Sequence, residues 1–311
     1  PKIDIQPRGT LDGRSTAQVE ESKPWLRQAG PWVYEGHGFV GFTFLEEAFT
    51  TKVEATQVYA TEPFLKYEMQ GVTLAARGRI GYKFNKLEVG GYGSYDLTFF
   101  RGSVPTASAT FNPGINKTNV QALMHELKVG PYVRYPFLIA KGWSVRPELR
   151  ILPSVNLFST NQLKSFDNVS PGVPGQAVLY STTNISVMAE LAPEVSMPFD
   201  LILTPKVGAT FFTILMEGQT VNSSAGVALA DADKLRTGSP KSPGLLLHYG
   251  ASLAWNAKRI GAETINVALT YAVTDVSKKF GGLGNRAGVK MIDTKSSSTS
   301  TFMGLGIEYL F

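Results

Sequence analysis

Apolar residues in this chain return at every second position, segment after segment, and nowhere do 18 or more of them run together. The last stretch, 301–311, shows the pattern at its cleanest: Met303, Leu305, Ile307, Tyr309 and Phe311 are apolar, while the positions between them include Gly304, Gly306 and Glu308. Successive side chains of an extended strand point to opposite faces, so this segment offers one face to hydrocarbon and the other to a tight polar interior. The missing long apolar run excludes a transmembrane helix. It leaves open a chain that crosses a membrane with strands, which need apolar residues at alternate positions only.

The alternation continues along the chain. A first strand at about 32–45 sets Tyr34, Val40, Phe42 and Phe44 against Glu35, His37 and Thr43. A segment of about twenty residues with Glu46, Glu47, Lys52 and Glu54 then reads as a loop. The second strand places Val72, Leu74, Ala76, Ile80, Tyr82 and Phe84 opposite Thr73, Arg77, Arg79 and Lys83, and Asn85-Lys86 turns into a third with Tyr95, Leu97 and Phe99 opposite Glu88, Ser94 and Asp96. Leu123, Leu127, Val129, Val133 and Tyr135 oppose Glu126, Lys128 and Arg134. After Ala140-Lys141-Gly142, Trp143, Val145, Leu149, Ile151, Val155 and Leu157 oppose Arg146, Glu148, Arg150 and Asn156. Ile185, Val187, Ala189, Leu191, Val195 and Met197 oppose Glu190 and Glu194. Pro198-Phe199-Asp200 reverses the chain into Leu201, Leu203, Val207, Ala209, Phe211 and Leu215, with Lys206 and Thr210 between them. Two further strands, around Tyr249 and Trp255 and around Val267 and Tyr271, flank a turn at Lys258-Arg259, and a polar loop at about 275–298 precedes the last strand.

These are about ten strands, joined alternately by four short turns and five long loops. An outer face this apolar does not suit a soluble sandwich, and backbone groups in hydrocarbon must all be paired, so the strands are expected to close on themselves. The expected fold is all-β: a closed antiparallel transmembrane β-barrel over residues 32–311. Residues 1–31, polar and proline-bearing, form an N-terminal arm that is either periplasmic or a plug in the lumen.

A terminal Phe after alternating hydrophobes resembles the closing strand of the outer-membrane β-barrel proteins of Gram-negative bacteria. The resemblance covers most of the chain in architecture and is specific for fold and place, but weak for activity. It implies integral location in the outer membrane, contact with its lipid, and Tyr309 and Phe311 as the signal read by the barrel-insertion machinery. A start at Pro1 without a basic-then-apolar leader fits an exported chain whose signal peptide has been removed.

Charged residues make up 18% of the chain, below the roughly 25% usual for soluble proteins, and the net charge of +5 is mild. With no basic helix and no Gly-rich phosphate loop, nucleic acid is not expected as a partner. Cysteine is absent, no cluster has metal-ligand spacing, and no cofactor is expected.

The polar phase collects Arg77, Arg79, Glu88, Asp96, Glu126, Lys128, Arg134, Arg146, Glu148, Arg150, Glu190, Glu194 and Lys206, besides Lys83. A lumen of about ten strands is narrow, and side chains already fill one of about eight. Interleaved opposite charges there should pair across it, since an unpaired charge in a poorly hydrated interior is costly. A structural, non-enzymatic barrel with a plugged lumen is therefore the leading expectation. The alternative is a porin-like channel whose ion path runs between the arginines and Glu190/Glu194. Third comes a rim-site protease or lipid-modifying enzyme, for which His248 and Asp275 lie at the loop ends of neighbouring strands; no catalytic residue is assigned. His37 falls on the lumenal phase with His248, and His125 on the lipid phase, without a serine placed for lipid hydrolysis. Pro131, Pro147, Pro153, Pro193 and Pro205 all fall on the lipid phase of consecutive strands, and those at 131, 147, 193 and 205 are expected in one row. A proline lacks the N–H its neighbour's carbonyl needs, which is expensive against lipid tails. This side is therefore the candidate face for a homo-oligomer.

Overall fold

The computed structural model describes residues 31–53, 65–105, 117–140, 142–162, 176–223, 240–242, 246–257, 265–280, 284–286 and 289–310. Ten long strands follow one another in chain order: β1 (Trp32–Val53), β2 (Leu65–Phe84), β3 (Leu87–Pro105), β4 (Lys117–Arg134), β5 (Glu148–Gln162), β6 (Gln176–Leu191), β7 (Leu201–Ser223), β8 (Leu246–Asn256), β9 (Ile265–Phe280) and β10 (Val289–Leu310). Each pairs antiparallel with the next, and β10 returns to β1 from Glu35↔Leu310 through Phe42↔Met303 and beyond. The sheet is thus a closed ten-stranded barrel, which leaves no edge strand along these seams. Among the described residues no helix is long and apolar enough to cross a membrane.

The short connections follow from local chemistry. Asn85, with φ of 58°, turns β2 into β3, a left-handed conformation asparagine tolerates. Gly142 at φ 81° reverses the pieces Phe137–Ala140 and Trp143–Arg146, and Phe199 and Asp200, at φ 66° and 63°, reverse Glu194–Met197 into β7. Aromatic rings gather on the outside at this end: Trp32 stands edge-on to Tyr82 at 5.2 Å, Tyr82 meets Phe84 at 4.6 Å and Tyr135 meets Phe137 at 4.9 Å. Amphipathic rings of this kind suit a membrane–water interface.

Facing outward, the odd or even phase of each strand is exposed and apolar, as in Val40, Phe42, Leu74, Ile80, Phe99, Leu127, Leu149, Leu269, Leu305 and Ile307. From Tyr34 to Phe44 this band is about 25 Å tall, taking ~3.4 Å per residue and a tilt of roughly 40°. Strands are longer than the 9–11 residues a span requires: β1 and β10 have 22 residues each and β7 has 23. The segments expected as loops at 46–53, 275–280 and 289–298 are strand instead. Their reading as loops failed because alternation is a signal of two different solvents. Beyond the lipid band the outward positions Glu46, Lys279, Lys295, Ser297 and Thr299 meet water, so both faces become polar while the ladder continues.

A second difference lies in β7. The register with β6 shifts between Thr210 and Phe212, a bulge that turns the phase over. Phe212, Ile214 and Met216 therefore face outward, and Leu215, expected on the lipid side, is buried at 9% exposure.

Candidate functional site

The lumen divides into two levels. The level near the short turns is ionic. Arg134 donates to Glu88 at 2.6 Å and reaches Glu35 and Glu194 at 3.3 Å; Tyr132 donates its hydroxyl to Glu88 at 2.7 Å. Arg79 pairs with Glu35 and, at 2.6 Å, with Glu148. Arg150 pairs with Glu148 and, at 2.7 Å, with Glu190, its guanidinium lying 4.1 Å from the centre of the Tyr92 ring. Arg146 pairs with Glu194, and His37 sits 3.3 Å from Glu308 and 3.6 Å from Glu35. Several of these contacts join strands that are not neighbours, β1 to β4 and β2 to β5, so the network crosses the lumen. Arg134 is 2% exposed and Glu148 1%. Charges so far from water are tolerable only when each finds several partners.

The other level opens toward the long-loop end. It holds a cavity enclosing about 1430 Å³ of space free of protein atoms, its mouth included. Hydroxyls line its wall in cross-strand sets, Thr43 with Thr73, Thr73 with Thr98 at 2.8 Å and Ser154 with Ser186 at 2.7 Å, and Thr270 of the wall donates to Ser252 of the ionic level at 3.1 Å. Glu126 pairs with Lys128 at 2.8 Å. Nearer the rim, Glu47 accepts from Lys278 at 2.9 Å and Ser296 at 3.2 Å, tying β1 to β9 and β10. Arg77 and Lys206 stand at the boundary, lining both levels, with Arg77 4.7 Å above the Phe39 ring centre. Asp96 also faces the cavity.

All thirteen charged positions singled out by phase thus face the lumen. The ionic layer joins Arg79, Glu88, Arg134, Arg146, Glu148, Arg150, Glu190 and Glu194, while Glu126 and Lys128 pair separately. Sequence reasoning left Glu35, His37, Tyr132 and Glu308 out of the network. The same alternation marks them, but their partners come from strands distant in sequence.

His248 and Asp275 do not meet. His248 faces inward, with Nδ1 3.0 Å from Thr274 Oγ1, whereas Asp275, one position on from Thr274, faces outward and accepts from Tyr249 at 3.1 Å and Thr299 at 2.7 Å. His125 lies on the outer side, its Nδ1 2.6 Å from the Tyr95 hydroxyl. Among the described residues no group of three or more His, Cys, Asp or Glu side chains is arranged to hold a metal.

The prolines occupy interruptions of the ladder. Pro131 and Pro153 share the β4–β5 seam, where bridging stops between Lys128↔Ser154 and Tyr132↔Arg150. Pro193 faces both Pro147 and Pro205, bracketed by Val145↔Val195 and Leu149↔Leu191 on one side and by Leu203↔Val195 and Val207↔Leu191 on the other. The row is therefore Pro147, Pro193 and Pro205. Pro131, expected in it, sits four residues along β4 from Tyr135, whose N–H bonds Pro147. Tyr309 is exposed beside Gly36 and Ile265; Phe311 and residues 1–30 of the arm expected at 1–31 lie outside the described residues.

No protein-family model matches the chain, and no curated protein matches it. Solved structures do. The outer membrane protease OmpT from Escherichia coli aligns over 90% of this chain and 97% of its own, with a TM-score of 0.54 and 11% identity. The translocator domain of autotransporter NalP from Neisseria meningitidis aligns over 97% of this chain and 95% of its own, at TM-score 0.36 and 12% identity. OprG from Pseudomonas aeruginosa covers 90% and 98%, at 0.32 and 10%. At such identities the likeness concerns the fold, that of outer-membrane barrels.

Proposed function

We propose that this chain is a sealed, non-enzymatic barrel of the Gram-negative outer membrane, with a structural or surface role. The ionic layer carries the reading. Arginines and glutamates that bridge opposite walls, with Arg134 and Glu148 out of reach of solvent, stand across the path an ion would have to take. Protein reconstituted into planar bilayers in concentrated salt should show no steady unitary conductance. Steady conductance whose ion selectivity shifts in Arg146→Ala would overturn the sealed reading in favour of a porin-like channel.

OmpT, which shares the fold, is a protease, and this supports a rim-site hydrolase as a further reading. The opposite orientations of His248 and Asp275 weigh against that pair as its centre. Peptide or lipid hydrolysis that disappears in His248→Ala would establish it. The proline row supports self-assembly through the outer side of β5, β6 and β7, because a smooth surface whose ladder is interrupted packs more favourably against a second barrel than against lipid tails.

A further inference from the structure

Four acceptor side chains stand in register on the cavity wall, one on each of β3 to β6: Asp96 faces Glu126, Glu126 faces Asn156, and Asn156 faces Asn184. All four line the cavity. Two carboxylates directly across a strand seam repel each other, and the cations around them are committed. Lys128 sits on Glu126 at 2.8 Å. Arg77, diagonal to Asp96 across the β2–β3 seam, lies over the Phe39 ring. Asp96 Oδ1 and Asn184 Oδ1 are buried and accept no hydrogen bond among the described residues, and Asn184 as a whole is 9% exposed. Buried acceptors without donors are uncommon in folded proteins and costly. Two of them in one four-residue row, one on a carboxylate that no cation of the described residues contacts directly, ask for a ligand that brings donors and positive charge together.

We propose that the cavity is a binding site for a small primary ammonium compound with a short apolar tail. An ammonium group offers three donors and a full charge, and its bonds to a carboxylate are stronger than those of a neutral donor. Next along the same strands stand Met124 and Phe158, facing each other across the β4–β5 seam and lining the same cavity. They provide apolar surface for the tail, while Thr98 and Thr182 complete that row.

The test titrates phenethylamine, with neutral 2-phenylethanol as its counterpart, into the full chain in detergent micelles, followed by calorimetry. The amine should bind at least about tenfold more tightly than the alcohol, as expected for a charge-assisted bond. Asp96→Asn, which keeps the shape and removes the charge, should abolish that difference. Asn184→Leu should weaken the amine several-fold and leave the alcohol unchanged. Equal affinities for amine and alcohol, or preference for the amine persisting in Asp96→Asn, would overturn the proposal, as would no amine binding by the unaltered chain. The reading is independent of conductance, since a ligand held at this row can be detected whether or not ions pass the layer beneath.

Discussion

Arg134 ends β4 with its guanidinium turned into the lumen, where it serves Glu88, Glu35 and Glu194 at once. Removing it would leave three carboxylates short of a partner in a space that water scarcely enters. Arg134→Met should therefore lower stability by about 3–5 kcal/mol, measured as the urea unfolding midpoint in micelles. Adding Glu88→Gln to it should recover part of that loss, because the second change removes one of the charges left behind. A loss no larger than that of Lys279→Met, on the outward face of β9, would show that the network contributes little. The inward phase of Arg134 was legible from the alternation of β4. Its partners were not, because a period of two says which face a side chain takes and nothing about what waits across a barrel.

At the scale of the element, β7 shows where such reasoning breaks. Alternation from Leu201 through Phe211 is regular, and extending it one more turn of the pattern places Leu215 in lipid. The bulge between Thr210 and Phe212 inserts a residue and reverses the phase, with only a pair of adjacent phenylalanines, Phe211 and Phe212, to hint at it. A spin label at 214 should be relaxed by oxygen, which concentrates in lipid, and one at 215 by a water-soluble nickel chelate or by neither. The chain has no cysteine, so each single-cysteine variant reports its own site. Reversed accessibility would place the bulge elsewhere. Strand existence, order and closure were legible for the same reason that strand ends were not. Lipid imposes alternation on the spanning part, whereas the water-bathed continuations around Glu46 and Ser297 read like loops.

For the whole molecule the open quantity is the number of barrels that work together. If the Pro147, Pro193 and Pro205 row meets a second protomer, native mass spectrometry from mild detergent should give a discrete multiple of 33.7 kDa. Cysteines at 147 and 193 should then crosslink two chains. A single chain mass with no crosslinked product would leave the lumen and the rim as the working surfaces. The overlong strands matter here in a mechanical way. Above the lipid band the β1–β10 and β6–β7 ladders continue for a distance on the order of 20 Å, at ~3.4 Å per residue and a tilt of roughly 40°, with one register shift between Thr50 and Lys52 in the former. A pull applied at the rim along the barrel axis loads these seams lengthwise, so many hydrogen bonds resist together and none is peeled alone. Whatever grips the rim therefore drags on the anchorage of the entire barrel in its membrane before it can unravel a strand.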